Sequence, residues 1–80
     1  MSHELKEGVK LKSVSGPVDK NGDQIYLRIG DRPMQYRSIV VVEQAGQMGM
    51  VPWAKGVTNS GEVTLVNLAL MESVILEQGQ

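Results

Sequence analysis

The chain has 80 residues, a net charge of −1 and no cysteine, which excludes a disulfide framework and a thiolate zinc site. Its only histidine, His3, lies in a polar leader predicted over residues 1–7, so we expect no structural metal and no other cofactor. A domain this short has a thin core and usually needs a further source of stability. The sequence therefore predicts one domain over residues 8–80 that self-associates.

Membrane and secretion signals are absent from the sequence. No apolar run approaches the roughly 18–20 residues that cross a bilayer. The polar N-terminus lacks the apolar stretch of a signal peptide. The nearly neutral net charge does not indicate nucleic-acid or membrane binding for the chain as a whole. We therefore expect a cytoplasmic protein that does not bind membranes.

Two strands are predicted in the first third of the chain. Lysines alternate with apolar residues over about 8–14, which favours a short strand. The alternation is stronger at 24–29, where Ile25, Leu27 and Ile29 occupy every second position. This period of two predicts a strand with those three side chains on its core face.

A third strand is predicted from Tyr36 to Glu43. Four consecutive β-branched residues, Ile39 to Val42, favour strand over helix and predict burial on both faces. Such a strand is typical of the centre of a barrel or of a subunit interface.

The next strand is predicted over about 50–57, after a glycine-containing turn and a bulge at 45–50. Val51, Trp53 and Val57 fall on one face of this strand. Pro52 has no N–H to donate to a ladder, so the sequence predicts an edge strand or a bend here.

The C-terminal third predicts a strand at 62–66 and has two interpretations after it. Asn67 suits the cap of a short helical turn at 68–72, followed by a last strand at 73–77. The alternative is one amphipathic helix over 67–77. The β-branched pair within 73–77 favours the strand.

Five or six short strands joined by turns every 8–14 residues predict an all-β fold, either a small barrel or a compact sandwich. The single helical turn before the last strand is similar to SH3-like barrels. That likeness concerns the fold alone and implies no function.

Catalytic chemistry is not indicated. General acid–base and nucleophilic mechanisms usually require histidine, cysteine or a serine beside a base, and the sequence offers no such set. Its turn aspartates are typical of local backbone hydrogen bonding. We predict that the chain is not an enzyme.

The leading functional hypothesis is a non-catalytic binding or self-assembly module, a homodimer or ring or a partner of another protein. Methionine and tryptophan are typical of adaptable interfaces. The candidate interface residues are Ile39, Val41, Met48, Met50 and Trp53. For Trp53 itself the favoured interpretation is the large core residue, because the chain has no phenylalanine, and the interface is the alternative.

The alternative function is an accessory protein that binds nucleic acid. Exposed tyrosines interleaved with arginines can stack on bases and contact phosphates. The candidate residues are Tyr26, Arg28, Arg32, Tyr36 and Arg37. The favoured interpretation of the same residues is a solvated sheet face with Tyr26 half packed.

Overall fold

A computed structural model describes residues 5–30 and 35–77. Within these ranges the chain is all-β, with one 3₁₀ turn, here called η1. In chain order the elements are β1 (Leu11–Ser15), β2 (Tyr26–Arg28), β3 (Tyr36–Gly46), β4 (Gly49–Thr58), β5 (Val63–Asn67), η1 (Leu68–Leu70) and β6 (Ser73–Leu76).

The strands form two three-stranded antiparallel sheets. The first has the order β2-β1-β6 and the second the order β3-β4-β5. The second sheet is a meander, because its three strands follow one another in the sequence. It contains the two longest strands and carries the candidate interaction surface described below.

The segment before β1 connects the two sheets. The Gly8 N–H donates to the Val41 carbonyl at 2.8 Å, and the Val41 N–H donates to the Val9 carbonyl at 2.9 Å. Leu5 packs against the core, and Glu7 accepts a hydrogen bond from the Glu43 N–H. Residues 5–7 of the predicted leader therefore belong to the domain, whereas residues 1–4, including His3, lie outside the described ranges.

The core lies between the inner faces of the two sheets. In β3 the burial alternates, because Ile39 and Val41 are fully buried whereas Val40 and Val42 are partly exposed. The prediction that this strand is buried on both faces is therefore correct for one face only. The buried apolar residues are Leu11, Val14, Leu27, Tyr36, Ile39, Val41, Ala54, Val66 and Leu68.

The strand predicted at 24–29 is shorter than expected. Leu27 is buried and Ile29 packs against the core, as the alternation predicts. The prediction for Ile25 is wrong, since its side chain is half exposed. The β1–β2 ladder ends at Tyr26, so Ile25 precedes the regular strand that would have turned it inward.

The strand that contains Pro52 is central, which corrects the prediction of an edge strand. Pro52 lies opposite Glu43 of β3, and the ladder with β5 begins one residue later, at Trp53. Pro52 therefore interrupts no bond to β5. The bulge predicted within 45–50 is wrong, since Ala45 and Gly46 pair regularly with Met50 and Gly49. The β3–β4 register shifts between Tyr36 and Ser38 instead.

The C-terminal third follows the strand–turn–strand prediction. The Asn67 side chain accepts a hydrogen bond from the Ala69 N–H at 2.9 Å and caps η1. β6 then pairs antiparallel with β1. The single-helix alternative for 67–77 is wrong.

Gly56 provides the space in which the core's aromatic ring packs. The Tyr36 ring lies over this glycine, and a Cβ there would come within 2.8 Å of the ring and 2.9 Å of Leu27. The Tyr36 hydroxyl donates to Thr64 Oγ1 at 3.2 Å. A residue without a side chain at position 56 thus allows Tyr36 to connect β2, β4 and β5.

Replacing Gly56 by alanine should destabilise the fold by about 1–3 kcal/mol, because the added methyl overlaps two packed side chains. Urea unfolding measures the loss. Lys55→Thr, at the neighbouring exposed position, is the control and should cost less than about 1 kcal/mol. Equal stability of Gly56→Ala and wild type would contradict the packing described.

Candidate interaction surface

The core contains three of the residues predicted to lie at functional surfaces. Ile39 and Val41 are 1% and 0% exposed in the single chain, so neither side chain is accessible to a partner. Tyr36 is only 5% exposed, so its ring is not available to stack on a base. These three assignments are therefore corrected, because the inner face of β3 forms the core.

The opposite side of the second sheet carries an apolar surface, which we call the outer face. Its residues alternate with the buried ones along each strand and so point away from the core. None of them is among the partly buried residues that pack against the core. The outer face consists of Val40, Val42, Val51, Trp53, Val57, Val63 and Leu65.

Cross-strand pairing places these side chains around Lys55, which lies opposite Val40 and Leu65 at the centre of the face. Val42 lies opposite Trp53, and Val57 lies opposite Val63. The edge strand is the most accessible part, with Val63 55% and Leu65 48% exposed. Exposed apolar patches on a monomer are often functional.

Polar groups on this surface are few. Lys55 supplies its one charge among the paired residues, next to Leu65 across the β4–β5 ladder. The uncharged polar residues at the ends of the strands are Ser38, Gln44 and Asn67. An apolar sheet face without a covering layer within the described residues is typical of an interface.

Trp53 is partly exposed on the outer face, so the favoured interpretation that made it the large core residue is wrong. The ring that fills the core belongs to Tyr36. Trp53 therefore stays among the predicted interface residues.

The β3–β4 hairpin extends past the end of β5. Its end, residues 43–50, is exposed throughout, and Met48 at the turn is fully exposed. Met50 is also exposed, but it is three residues from Trp53 and points to the opposite side of the ribbon. The predicted group of Met48, Met50 and Trp53 therefore does not form one surface.

The Tyr/Arg residues are divided between the two sheets. Tyr26 and Arg28 are exposed on β2, whereas Arg37 is exposed on β3. Arg32 lies outside the described residues. With Tyr36 in the core, the structure does not assemble the proposed stacking platform from these residues.

A shallow groove of about 540 Å³ runs along the first sheet. Lys12 and Arg28 line it from two strands, but Glu77 lines it as well. Its remaining walls are aliphatic side chains and backbone: Ile29, Gly30, Ile75 and Leu76. The mixed charge gives the groove no strong preference for an anionic ligand.

The described residues carry neither a metal-ligand cluster nor a membrane-spanning helix. Residues 5–30 and 35–77 contain no group of three or more histidine, cysteine, aspartate or glutamate side chains that could hold a metal ion. In the same ranges no helix has the length and apolar character that spanning a bilayer would require.

Comparison with known proteins gives no further assignment. No protein-family model matches the chain, and no curated protein or solved structure is significantly similar to it.

Matched substitutions should separate the core from the outer face. Val41→Ala should cost about 1–3 kcal/mol, because Val41 is fully buried and truncation leaves a cavity. Val63→Ala should cost less than about 1 kcal/mol at a concentration where the protein is monomeric. Thermal or urea unfolding of both variants measures this, and similar losses would contradict the assignment of the two faces.

Proposed function

We propose that this chain is a non-catalytic module that self-assembles through the outer face of the β3–β4–β5 sheet. The observation that carries the proposal is this largely apolar surface, which includes a tryptophan and has one lysine at its centre. Covering this surface removes apolar area from water, which contributes a favourable free energy of about 25 cal/mol per Å² buried. A second copy or another protein bound there would bury the outer face and add stability to a domain whose own core is small.

The groove on the first sheet is open and of mixed charge, so it supports a specific ligand site less well than the outer face supports assembly. The proposed module acts in the cytoplasm as a homodimer or a larger ring, and another protein is its alternative partner.

The proposal extends to the closure of the two sheets into a small SH3-like barrel. Residues 8–10 pair with β3, and Ile29 forms a bridge with Tyr36, so the sheets are linked at two places. The 3₁₀ turn between β5 and β6 is a further point of similarity. This likeness concerns architecture and implies no activity.

Self-association should depend on the outer face. Sedimentation velocity over a concentration series should give a sedimentation coefficient that rises with concentration for the wild type. Val63→Lys should weaken this association at least about tenfold, because it introduces a charge into an apolar contact.

Val18→Lys is the matched control. Val18 is 61% exposed in the β1–β2 connection, so the same substitution is made away from the outer face. The control should associate like the wild type. A wild-type protein that remains monomeric up to millimolar concentration would refute the proposed self-assembly.

The alternative function, nucleic-acid binding, retains Tyr26, Arg28 and Arg37 as its exposed candidates. These side chains lie on two sheets, and Glu77 shares the groove with Arg28. The alternative is therefore weaker than self-assembly on the geometry of the described residues.

Fluorescence anisotropy should show no binding of single-stranded or duplex oligonucleotides at tens of micromolar protein in low salt. Phosphate contacts release counterions, so true binding would weaken steeply as salt is added. Salt-sensitive binding that Tyr26→Ala abolishes would establish the alternative function instead.

A further inference from the structure

The edge of β5 is an open sheet edge in the described part of the chain. β5 is the last strand of its sheet, and its sequence Val63–Asn67 contains no charge, proline or bulge. Natural edges usually carry such features, which prevent pairing with another strand. β2 contains Arg28, and β6 lies between Glu72 and Glu77.

The hydrogen-bond pattern identifies the groups that face this edge. The Thr58 N–H donates to the Glu62 carbonyl at 2.9 Å. Bonded and non-bonded pairs alternate along an antiparallel ladder, so Thr64 and Val66 bond to β4. The N–H and C=O groups of Val63 and Leu65 therefore point away from β4, towards the open side.

The same two residues carry the most exposed apolar side chains of the outer face. At the β5 edge, backbone donors and acceptors thus lie beside an apolar strip. An antiparallel strand placed there could bond to the backbone and cover the side chains together. The β5 strand of a second copy offers the same backbone groups and apolar side chains, so it fits this edge.

We infer that two copies of the chain pair through their β5 edges across a two-fold axis at Thr64, forming a continuous six-stranded sheet. In this register Val63 of each copy lies opposite Leu65 of the other, and the two pairs form four backbone hydrogen bonds. Thr64 lies opposite its own equivalent, a favourable cross-strand pair. This inference rests on the proposed self-assembly and adds an edge-to-edge contact to it, beside the outer face rather than over it.

Charge and register both favour a second copy as the occupant. The residues at the junction, 63–66, are uncharged. The nearest acidic groups, Glu62 of each copy, would be separated by about 13 Å along the strands, beyond the Debye length of about 8 Å at physiological salt. Other registers that use the same backbone groups leave Val63 or Leu65 opposite a glycine or an asparagine.

The size of the contact sets the expected affinity. A five-residue strand is about 17 Å long and buries less than the roughly 800 Å² per partner of a stable complex. We therefore expect a dimer that dissociates at tens of micromolar or above. Pairing also joins the outer faces of the two copies into one larger apolar surface.

Amide hydrogen exchange of the wild-type protein tests the inference. Between about 50 µM and 1 mM protein, exchange at the Val63 and Leu65 amides should slow several-fold or more. The Thr64 and Val66 amides, which bond to β4, are the internal controls and should be protected at both concentrations.

A single-cysteine series gives an independent readout, because the chain has no other thiol. Thr64→Cys should form a disulfide-linked dimer under mild oxidation, whereas Lys55→Cys, one strand away, should not. Monomers at every concentration would overturn both the self-assembly and the edge pairing. Association with unprotected Val63 and Leu65 amides, or cross-linking through position 55 alone, would overturn the edge pairing only.

Discussion

The packing of the Tyr36 ring over Gly56 determines how the second sheet is arranged. It puts the chain's core aromatic ring on β3, against Leu27 of β2, and its hydroxyl reaches Thr64 of β5. Trp53 lies on the opposite, outer face of the same sheet. A small domain with a thin core thus has its only tryptophan partly exposed on the outer face rather than buried among the core residues.

The ladder on both sides of β4 links this packing to the surface. Since side chains alternate along a strand, burial of Ala54 and Gly56 turns Trp53 and Val57 outward. The same alternation applies to the backbone, so the inward residues of β5 bond to β4 and the outward ones face the open edge. Apolar side chains and unpaired backbone groups therefore coincide at Val63 and Leu65. These two residues belong both to the outer face and to the inferred β5–β5 contact.

The all-β class, the Asn67 cap with its helical turn, and the inward position of Leu27 could be predicted from the sequence, because each depends on local signals. The position of Tyr36 could not. An extra residue at the register shift between Tyr36 and Ser38 puts Tyr36 on the same face as Ile39, where simple alternation would separate them. The grouping of Val51, Trp53 and Val57 on one face was predicted, but not that this face is partly exposed. Valines occupy both alternating positions in 39–42 and again in 63–66, and periodicity cannot show which set is buried.

Edge pairing and the outer face would make stability and assembly interdependent in this domain. A partner that binds only the folded chain stabilises it by mass action, and the gain grows with concentration. Only nine buried apolar residues form the described core, so the unfolding free energy of the single chain is small. The free energy gained by binding a partner is therefore large in comparison. An uncharged open edge is normally an aggregation hazard, and natural proteins remove it. Its retention on β5 is understandable if the edge is covered by a second copy, because the proposed pairing then serves both stability and function.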